Sequence, residues 1–446
     1  MMTSFITSIK QRFSSAAMGQ AIYYGLGLVM MKGISLFMLP VFTSYLSTTE
    51  YGRLEVLLAL ANIGTLILGF GLVDSLYRFA GMAENDQQRR EVSARAFGLT
   101  TLITLAALLV VQLAAPLIAQ LLPGTVEVFD VRLLGVALAV EGCLTIPLAW
   151  LRMRERAKQF FVLTTSKVIL QAGLSYALLQ QGWGISGILV ASAVSAVLLA
   201  VVLSVLHIKD VGFSFSWISS RQLLRYGVPM VISGMAGFAL SGLDRWLLAD
   251  VVGEAALAPY AVAAKFSLVT LLLMQPFTLW WYPQRFRLLN QTKGIEKNAH
   301  YAVLGSTLVI IISGAVGVCA PWLIRWLTPE AYHVAIVYVP WLVLATALKI
   351  ISDLLNLGCY TSTNSRLQMQ INLVCTCVGV ALFAALIPSW GIGGVVAALV
   401  ISNTLRLILF YYKSQNLLYL PYCFRPLFQA TTFSALMIVA GQVVTL

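Results

Sequence analysis

Charged residues are scarce in this sequence. Only 10% of its 446 residues are Asp, Glu, Lys or Arg, whereas an average soluble protein has about 25%. The scarcity extends over the whole chain, so no stretch has the composition of a soluble domain, and 59% of the residues are hydrophobic. This composition predicts a polytopic membrane protein and makes a soluble enzyme or a nucleic-acid partner a poor fit. In a soluble protein a net charge of +12 would suggest nucleic-acid binding, whereas in a membrane protein basic residues fix the topology.

Residues typical of catalytic and metal sites are also few. The three histidines lie at the ends of apolar segments, and the six cysteines show neither a disulfide framework nor metal-ligand spacing. The sequence contains no phosphate loop, nucleophile elbow or HExxH motif. We therefore expect a protein that is not an enzyme and that has no metal and no cofactor. The polar, basic start and the long first apolar run favour a first helix over a cleavable signal peptide.

Long apolar runs dominate what remains. Thirteen segments are each about 20 residues or longer, which is the length at which a helix crosses a bilayer. They are 19–46, 54–80, 96–122, 129–151, 160–181, 184–207, 225–250, 257–283, 300–327, 335–359, 368–388, 391–412 and 427–445. Lipid offers no partners to backbone groups, and the alternation typical of a membrane barrel is absent, so the prediction is all-α.

The distribution of lysine and arginine predicts an orientation. If the N-terminus is cytoplasmic, 19 of the 29 basic residues lie in cytoplasmic segments, three lie on the opposite side and seven lie within spans. This split predicts a multi-pass protein with a cytoplasmic N-terminus, and it independently supports the number of predicted segments. All connections are short, so the chain has no outer domain of the kind that an integral glycosyltransferase or polymerase uses to hold a sugar acceptor.

Two similar turns indicate an internal repeat. Residues 45–52 and 251–260 each combine a short turn, an acid and a tyrosine that opens the next helix. They are six helices apart, which predicts two parallel six-helix lobes related by a pseudo-two-fold axis along the membrane normal. The chain is therefore predicted to comprise an N-terminal lobe 1–207, a cytoplasmic linker 208–224, a C-terminal lobe 225–412 and a tail 413–446 with an extra apolar segment.

Charged residues inside the predicted spans are the candidate functional residues, because a charge within the bilayer costs about 2.5 kcal/mol or more. Seven bases lie within the predicted spans: Lys32, Arg78, Lys167, Arg245, Lys265, Lys349 and Arg406. Only four acids were counted there: Asp74, Glu141, Asp244 and Asp353. This count makes the interior net positive. Such an interior suits an anion such as a phosphate or a pyrophosphate.

Helical spacing suggests how some of these charges are arranged. Asp74 and Arg78 are four residues apart and are expected to pair, either at the mouth of a polar cavity or as an interfacial ion pair. The same spacing predicts a pair between Lys349 and Asp353. Lys32 is too deep to reach the membrane surface easily, which favours a cavity role.

The remaining charges have less obvious partners. Asp244 and Arg245 are adjacent and project about 100° apart, so we expect them not to pair with each other. One of them is expected to contact Lys265 and the other a substrate or the facing half of the protein. Lys167 and Arg406 are expected to extend to the cytoplasmic face. Glu141 has no partner on its own helix and is either a proton or cation site or a protonated buried carboxyl.

Five stretches of the sequence, taken in order, resemble a known family. These stretches are 32–52, 71–79, 152–160, 225–229 and 243–266, the last including Leu243, Asp244, Arg245 and Trp246. In them the chain is similar to the polysaccharide transporter family of the multidrug/oligosaccharidyl-lipid/polysaccharide exporter superfamily, whose members include the O-antigen (Wzx-type) flippases. The likeness covers helices 1 to 12, whereas the thirteenth segment departs from the usual twelve or fourteen.

The resemblance implies a MATE-like fold in which two lobes surround a central cavity. It implies a flippase that moves an undecaprenyl-pyrophosphate-linked oligosaccharide between leaflets by alternating access, with membrane lipids, a polysaccharide polymerase and a chain-length regulator as further partners. The predicted anion ligands are Lys32, Arg78, Arg245 and Lys265. Asp74 and Asp244 are the candidates for coupling to a proton or sodium ion, or for positioning these bases, and Glu141, Lys349 and Asp353 are secondary candidates.

The sequence is compatible with two other functions. A cation-coupled drug antiporter of the same superfamily would need acids to dominate the cavity, and the four acids within spans keep it in consideration. An integral-membrane enzyme of polysaccharide assembly is opposed by the short outer loops.

Overall fold

The computed structural model is built from α-helices, and the residues it describes contain no β-strand. It describes residues 36–238, 242–289, 291–360 and 366–434, together with Gly27, Met30, Gly33 and Ile34. By contacts, the chain divides into two compact units. One comprises Met1–Val41 with Leu60–Met235, and the other comprises Phe42–Ala59 with Ala236–Leu446.

The first unit is a helical bundle. Its helices are the second part of α2 (Thr48–Gly69), then α3 (Leu72–Gly81), α4 (Asp86–Leu121), α5 (Val128–Met153), α6 (Ala157–Gln180), α7 (Gly184–Val211) and most of α8 (Trp217–Phe238). Helix α5 is central, because it packs against α4 and α7, and α7 also packs against α6. Trp150 of α5 is fully buried there, and its indole donates a hydrogen bond to Asp210, 3.0 Å away.

The second unit is also a helical bundle, and it includes the start of α2. Its other helices are most of α1 (Leu39–Tyr45), then α9 (Leu243–Val251), α10 (Glu254–Leu289), α11 (Gly294–Leu327), α12 (Ala335–Leu354), α13 (Arg366–Trp390) and α14 (Ile392–Leu417). Two short 3₁₀ turns, Glu330–Tyr332 and Leu357–Tyr360, flank α12. Helix α12 packs against α10, α11 and α14, so it forms the middle of this unit.

A break divides the predicted second span. The backbone leaves the helix at Phe70 and Gly71, where φ is 44° and 61°. Gly71 lies against Gly227 of α8: a Cβ on Gly71 would meet the Gly227 carbonyl oxygen at 2.4 Å. Beside this contact the Ser75 hydroxyl donates to the Leu223 carbonyl at 2.8 Å. Glycine is required here because L-residues rarely adopt this φ and no side chain would fit.

The predicted linker 208–224 is mostly helical. It contains the end of α7, the start of α8 and only five connecting residues, 212–216. This connection lies on α4, since a Cβ on Gly98 would meet the Ser214 carbonyl oxygen at 2.2 Å. Phe213 packs edge-to-face on Phe97 at 6.1 Å, whereas Trp217 is 71% exposed. The division of the sequence into lobes and linker stays a prediction.

The helices confirm an all-α polytopic membrane protein. Within the described part of the chain, ten helices are long and apolar enough to span a membrane. They coincide with ten of the thirteen predicted segments. Of the other three, 19–46 lies partly and 427–445 mostly outside the described residues, and 225–250 is divided between α8 and α9.

Candidate functional site

Helix α2 contributes Tyr51 and Glu55 to a buried polar cluster. The helix begins just before them, where Ser47 and Glu50 form reciprocal capping hydrogen bonds, with the Ser47 hydroxyl donating to the Glu50 carboxylate at 2.8 Å. Tyr51 and Glu55 are one turn apart and therefore share a face of α2. Both are buried, Tyr51 at 0% and Glu55 at 3% exposure.

Helices α9 and α10 supply the rest of the cluster. Asp244 lies in the first turn of α9, where a negative charge is favoured by the helix dipole. Its carboxylate accepts a hydrogen bond from the Tyr260 hydroxyl of α10 and lies 3.5 Å from Arg245 Nη1. The side chain of Lys265, also on α10, reaches the Tyr51 hydroxyl and the face of its ring.

Glu55 is the residue that joins these groups. Its Oε1 lies 3.1 Å from Lys265 Nζ, and its Oε2 lies 3.4 Å from Arg245 Nε. We call these two bases, Glu55, Asp244 and the two tyrosines the Glu55 cluster. Its two acids and two bases balance, so the cluster has no net charge when all four are ionised.

This arrangement corrects two expectations. Asp244 and Arg245 were predicted not to pair with each other, yet they form an ion pair, because the Arg245 side chain is long enough to fold back to the Asp244 carboxylate. The count of acids within spans also leaves out Glu55, and with it Asp130 and Asp250, at the ends of predicted segments. Counted over the same predicted segments, the seven acids are still fewer than the ten bases, because Arg132, Arg225 and Arg325 also lie at segment ends.

Close packing of α2 on the start of α10 holds the cluster together. A Cβ on Gly52 would lie 1.9 Å from the Glu254 carbonyl oxygen, and Arg53 Nε lies 3.4 Å from the Glu254 carboxylate. Tyr332 covers Tyr51 edge-to-face, with ring centroids 5.7 Å apart. Burial raises the pKa of Tyr332 above its usual value, so its hydroxyl stays protonated and donates to the Leu46 carbonyl at 3.2 Å.

A second group of charges lies at α12 and α14. Arg406 Nη2 lies 2.7 Å from Asp353 Oδ1, and Arg406 also donates to Asn372 and to the backbone carbonyl of Lys349. The predicted pair between Lys349 and Asp353 is therefore wrong, because a partner on the neighbouring helix takes the carboxylate. The expectation that Arg406 extends to the membrane surface is wrong for the same reason, whereas the Lys349 side chain is exposed.

Arg285 is, after Glu55, a second functional candidate that the sequence did not indicate. It was assigned to a cytoplasmic loop, but α10 continues to Leu289 and Arg285 is buried at 6% exposure. Its Nη1 donates to Asn356 at 3.2 Å, and the rings of Tyr282 and Tyr360 each lie 4.7 Å from its guanidinium carbon. Asp353 interacts with it electrostatically without forming an ion pair. We call Arg285, Asp353 and Arg406 the Arg285 cluster.

The other predicted residues lie elsewhere. Asp74 and Arg78 are both exposed and form no ion pair with each other, because Arg78 instead covers the ring of Tyr226 at 4.6 Å. Glu141 does have a partner, Lys167 of α6, at 3.1 Å, so the prediction that Lys167 extends to the surface is also wrong. Lys32 lies outside the described residues. Within the described part of the chain, no group of three or more His, Cys, Asp or Glu could hold a metal ion.

Comparison with known proteins identifies the family. Residues 41–337 match the model of a family described as "Polysaccharide biosynthesis protein". The chain belongs to this family. The predicted membership of the polysaccharide transporters of the exporter superfamily is thereby confirmed. Among curated proteins, none matches the sequence significantly.

Solved structures show the same fold. The chain is similar to the lipid II flippase MurJ in an inward closed conformation, with a TM-score of 0.74 and 11% identity over 95% of this chain and 92% of that one. It is also similar to a multidrug MATE transporter in its inward-facing conformation, with a TM-score of 0.63 and 15% identity over 96% of both chains. An outward-facing MATE structure matches with a TM-score of 0.55 and 16% identity, over 95% and 96%.

These likenesses and the family support a coarse functional statement. The chain is a multi-pass membrane protein with the fold of flippases and transporters of this superfamily.

Proposed function

We propose that this protein is a flippase for a polyprenyl-pyrophosphate-linked oligosaccharide. The observation that carries the proposal is the family match, to polysaccharide biosynthesis proteins, combined with the fold of the lipid II flippase over 95% of the chain. The substrate would move from the cytoplasmic to the outer leaflet of a bacterial inner membrane by alternating access. It would serve O-antigen or another surface polysaccharide, and the N-terminus would be cytoplasmic.

The Glu55 cluster suggests how ion binding and substrate binding could be linked. When its acids are ionised, Arg245 and Lys265 are neutralised and have little attraction for an anion. Protonation of Glu55 or Asp244 would release one positive charge towards a pyrophosphate. Asp244 therefore stays a proposed coupling residue, joined by Glu55, and Lys32 and Arg78 stay proposed anion ligands, with Asp74 beside Arg78.

Reconstitution tests the proposed function directly. The purified protein is placed in proteoliposomes with a fluorescent polyprenyl-pyrophosphate oligosaccharide, and the fraction accessible to an external lectin or periodate is followed with time. We expect translocation at least tenfold faster than in protein-free vesicles. Translocation at the protein-free rate, from protein shown to be folded by its thermal transition, would contradict the proposal.

A small-molecule antiporter is the second candidate. The MATE likeness over 96% of the chain, together with two buried acids in the Glu55 cluster, favours it. The same vesicles, loaded with a fluorescent organic cation and given a proton or sodium gradient, distinguish the two functions. Gradient-driven movement of the cation without movement of the lipid-linked glycan would support the antiporter.

A further inference from the structure

The first three turns of α8 carry a stripe of apolar and basic side chains on their outer face. Its apolar members are Trp217, Ile218 and Val228, which are 71%, 76% and 40% exposed. Arg221 and Arg225 lie between them and are exposed as well. Residues four positions apart lie on nearly the same helix face, so Trp217, Arg221 and Arg225 follow one another along the helix. We call these five residues the α8 stripe.

The opposite face of the same turns is buried, and this fixes the stripe on the outside. Ser220 is fully buried, and Leu223 is 3% exposed within a core that it shares with residues of α3 and α4. The Leu223 carbonyl accepts a hydrogen bond from the Ser75 hydroxyl of α3, and Gly227 lies against Gly71. Packing therefore sets the rotation of α8 about its own axis, and the stripe cannot turn inward.

The neighbours of α8 place the stripe at the edge of the membrane. Towards the start of α8, its contacts with the neighbouring chain move from Gly71 to Ser75. Trp217 therefore lies towards the end of α3, where the predicted second span also ends. The connection before α8 lies against Gly98 of α4, near the start of the predicted third span. Both neighbours put the stripe at the predicted cytoplasmic rim of the membrane, where tryptophan and basic residues are enriched.

No acid compensates the two arginines of the stripe. All seventeen acidic residues lie in the part of the chain that the structure describes. None of them forms an ion pair with Arg221 or Arg225. Asp210, the nearest acid in the sequence, is engaged by Arg156 at 3.1 Å and by the indole of Trp150 at 3.0 Å. The stripe therefore has two uncompensated positive charges beside exposed apolar side chains.

We propose that the α8 stripe binds the headgroup of an anionic phospholipid at the rim of the bilayer. Cβ atoms four residues apart on a helix are separated by about 5–6 Å, so Arg221 and Arg225 can reach the same phosphate group. Trp217 lies in the interfacial layer, whereas Val228 lies deeper, against the acyl chains. The bilayer rim is occupied by lipid, and a phospholipid matches both the arginines and the apolar side chains.

The charge of the stripe selects among phospholipids. A zwitterionic headgroup carries its own positive charge, whereas an anionic headgroup leaves a net attraction to the two arginines. Each basic residue near an anionic membrane surface favours binding by about fivefold. We therefore expect the stripe to prefer phosphatidylglycerol over phosphatidylcholine by at least about tenfold. This binding surface is independent of the transported substrate and of the proposed function.

Fluorescence quenching by brominated lipids measures this preference. The full chain is placed in nanodiscs of phosphatidylcholine and phosphatidylglycerol, with bromine near the headgroup end of the acyl chains of one lipid or the other. The signal of Trp217 is the difference between wild type and Trp217→Phe, a substitution at an exposed position. The ratio of the two quenching efficiencies at equal lipid fractions gives the relative affinity for the two lipids at Trp217.

Variants of the two arginines test whether charge is the cause. Arg221→Gln combined with Arg225→Gln should reduce the preference to less than about twofold. Arg221→Lys combined with Arg225→Lys retains both charges and should retain most of the preference. Lys293→Gln combined with Lys297→Gln is the matched control, because it removes two exposed bases four residues apart at the start of α11, outside the Glu55 and Arg285 clusters. The control should prefer phosphatidylglycerol as strongly as wild type does.

Four results would overturn the proposal. Identical quenching of wild type and Trp217→Phe would mean that the stripe does not contact lipid. Equal quenching by the two lipids in wild type would rule out selection of an anionic headgroup. A preference that survives the double glutamine variant of Arg221 and Arg225 would assign it to other residues. Loss of the preference in millimolar inorganic phosphate, at constant ionic strength, would identify a site for a soluble anion instead.

Discussion

Replacing Glu55 with glutamine is expected to lower the free energy of unfolding by about 3 kcal/mol and to abolish most of the transport. Glu55 is the acid that contacts both Arg245 and Lys265, at 3.4 and 3.1 Å. Removing one partner of a buried ion pair costs about 3–5 kcal/mol because the other charge is left uncompensated. Here one carboxylate serves two bases, although Asp244 still compensates Arg245.

The measurement is reversible unfolding in mixed detergent micelles, together with translocation in vesicles. Glu91→Gln is the control, since it removes an exposed ion pair with Arg95 at 3.2 Å, which is worth less than about 1 kcal/mol. If Glu55→Gln shifted stability no more than Glu91→Gln, the Glu55 cluster would not be the buried charge network seen in the structure.

A double substitution separates stability from function. Glu55→Gln combined with Lys265→Gln removes one acid and one base, and Arg245 keeps Asp244 as its partner. We expect the double variant to recover most of the lost stability, because no uncompensated charge remains. Its transport should stay low, since both the proposed coupling acid and an anion ligand are missing. Restored transport would assign the cluster a structural role and refute its part in coupling.

Long apolar runs made most of this fold predictable from the sequence. Ten predicted spans coincide with helices, because length and apolarity alone decide whether a helix can cross a bilayer. The interruption at Phe70 and Gly71 was not predicted, since glycines within an apolar run are common in membrane helices. What fixes it is contact with Gly227, which lies more than 150 residues away in the chain.

The charge pairs were less predictable for a related reason. Spacing on one helix predicted that Asp353 pairs with Lys349, but Arg406 on another helix takes it at 2.7 Å. The same limit hid the link between Glu55 and Arg245, which are 190 residues apart. Spacing reports neighbours on one surface of one helix, whereas a buried carboxylate is satisfied by whichever donor the packing brings close.

Arg285 was missed because of where its helix was expected to end. The predicted span stopped at residue 283, and a base just beyond a span is usually an orienting charge. Four aromatic residues surround it, three of them (Trp281, Tyr282 and Phe286) on its own helix, and this was the available signal. An arginine within such an aromatic run is suited to burial by cation–π contact.

Replacing Gly52 with alanine is the second change with a large expected effect. A Cβ at this position would lie 1.9 Å from the Glu254 carbonyl oxygen, so the backbone of α2 or of α10 has to move. Overpacking of this kind typically costs about 1–3 kcal/mol, and contact with backbone rather than a side chain places it at the upper end. Gly69→Ala on the same helix is the control, because a Cβ there would meet nothing within 4 Å.

The loss of function should exceed what the loss of stability explains. Gly52 lies between Tyr51, which accepts from Lys265, and Arg53, which pairs with Glu254. Separating α2 from α10 therefore lengthens the contact between Glu55 and Lys265, 3.1 Å in the structure, while leaving both charges in place. Translocation by folded Gly52→Ala protein, measured at a temperature well below its transition, should fall at least about tenfold, whereas Gly69→Ala should match wild type. Wild-type translocation by Gly52→Ala would mean that the spacing of these two helices does not matter for transport.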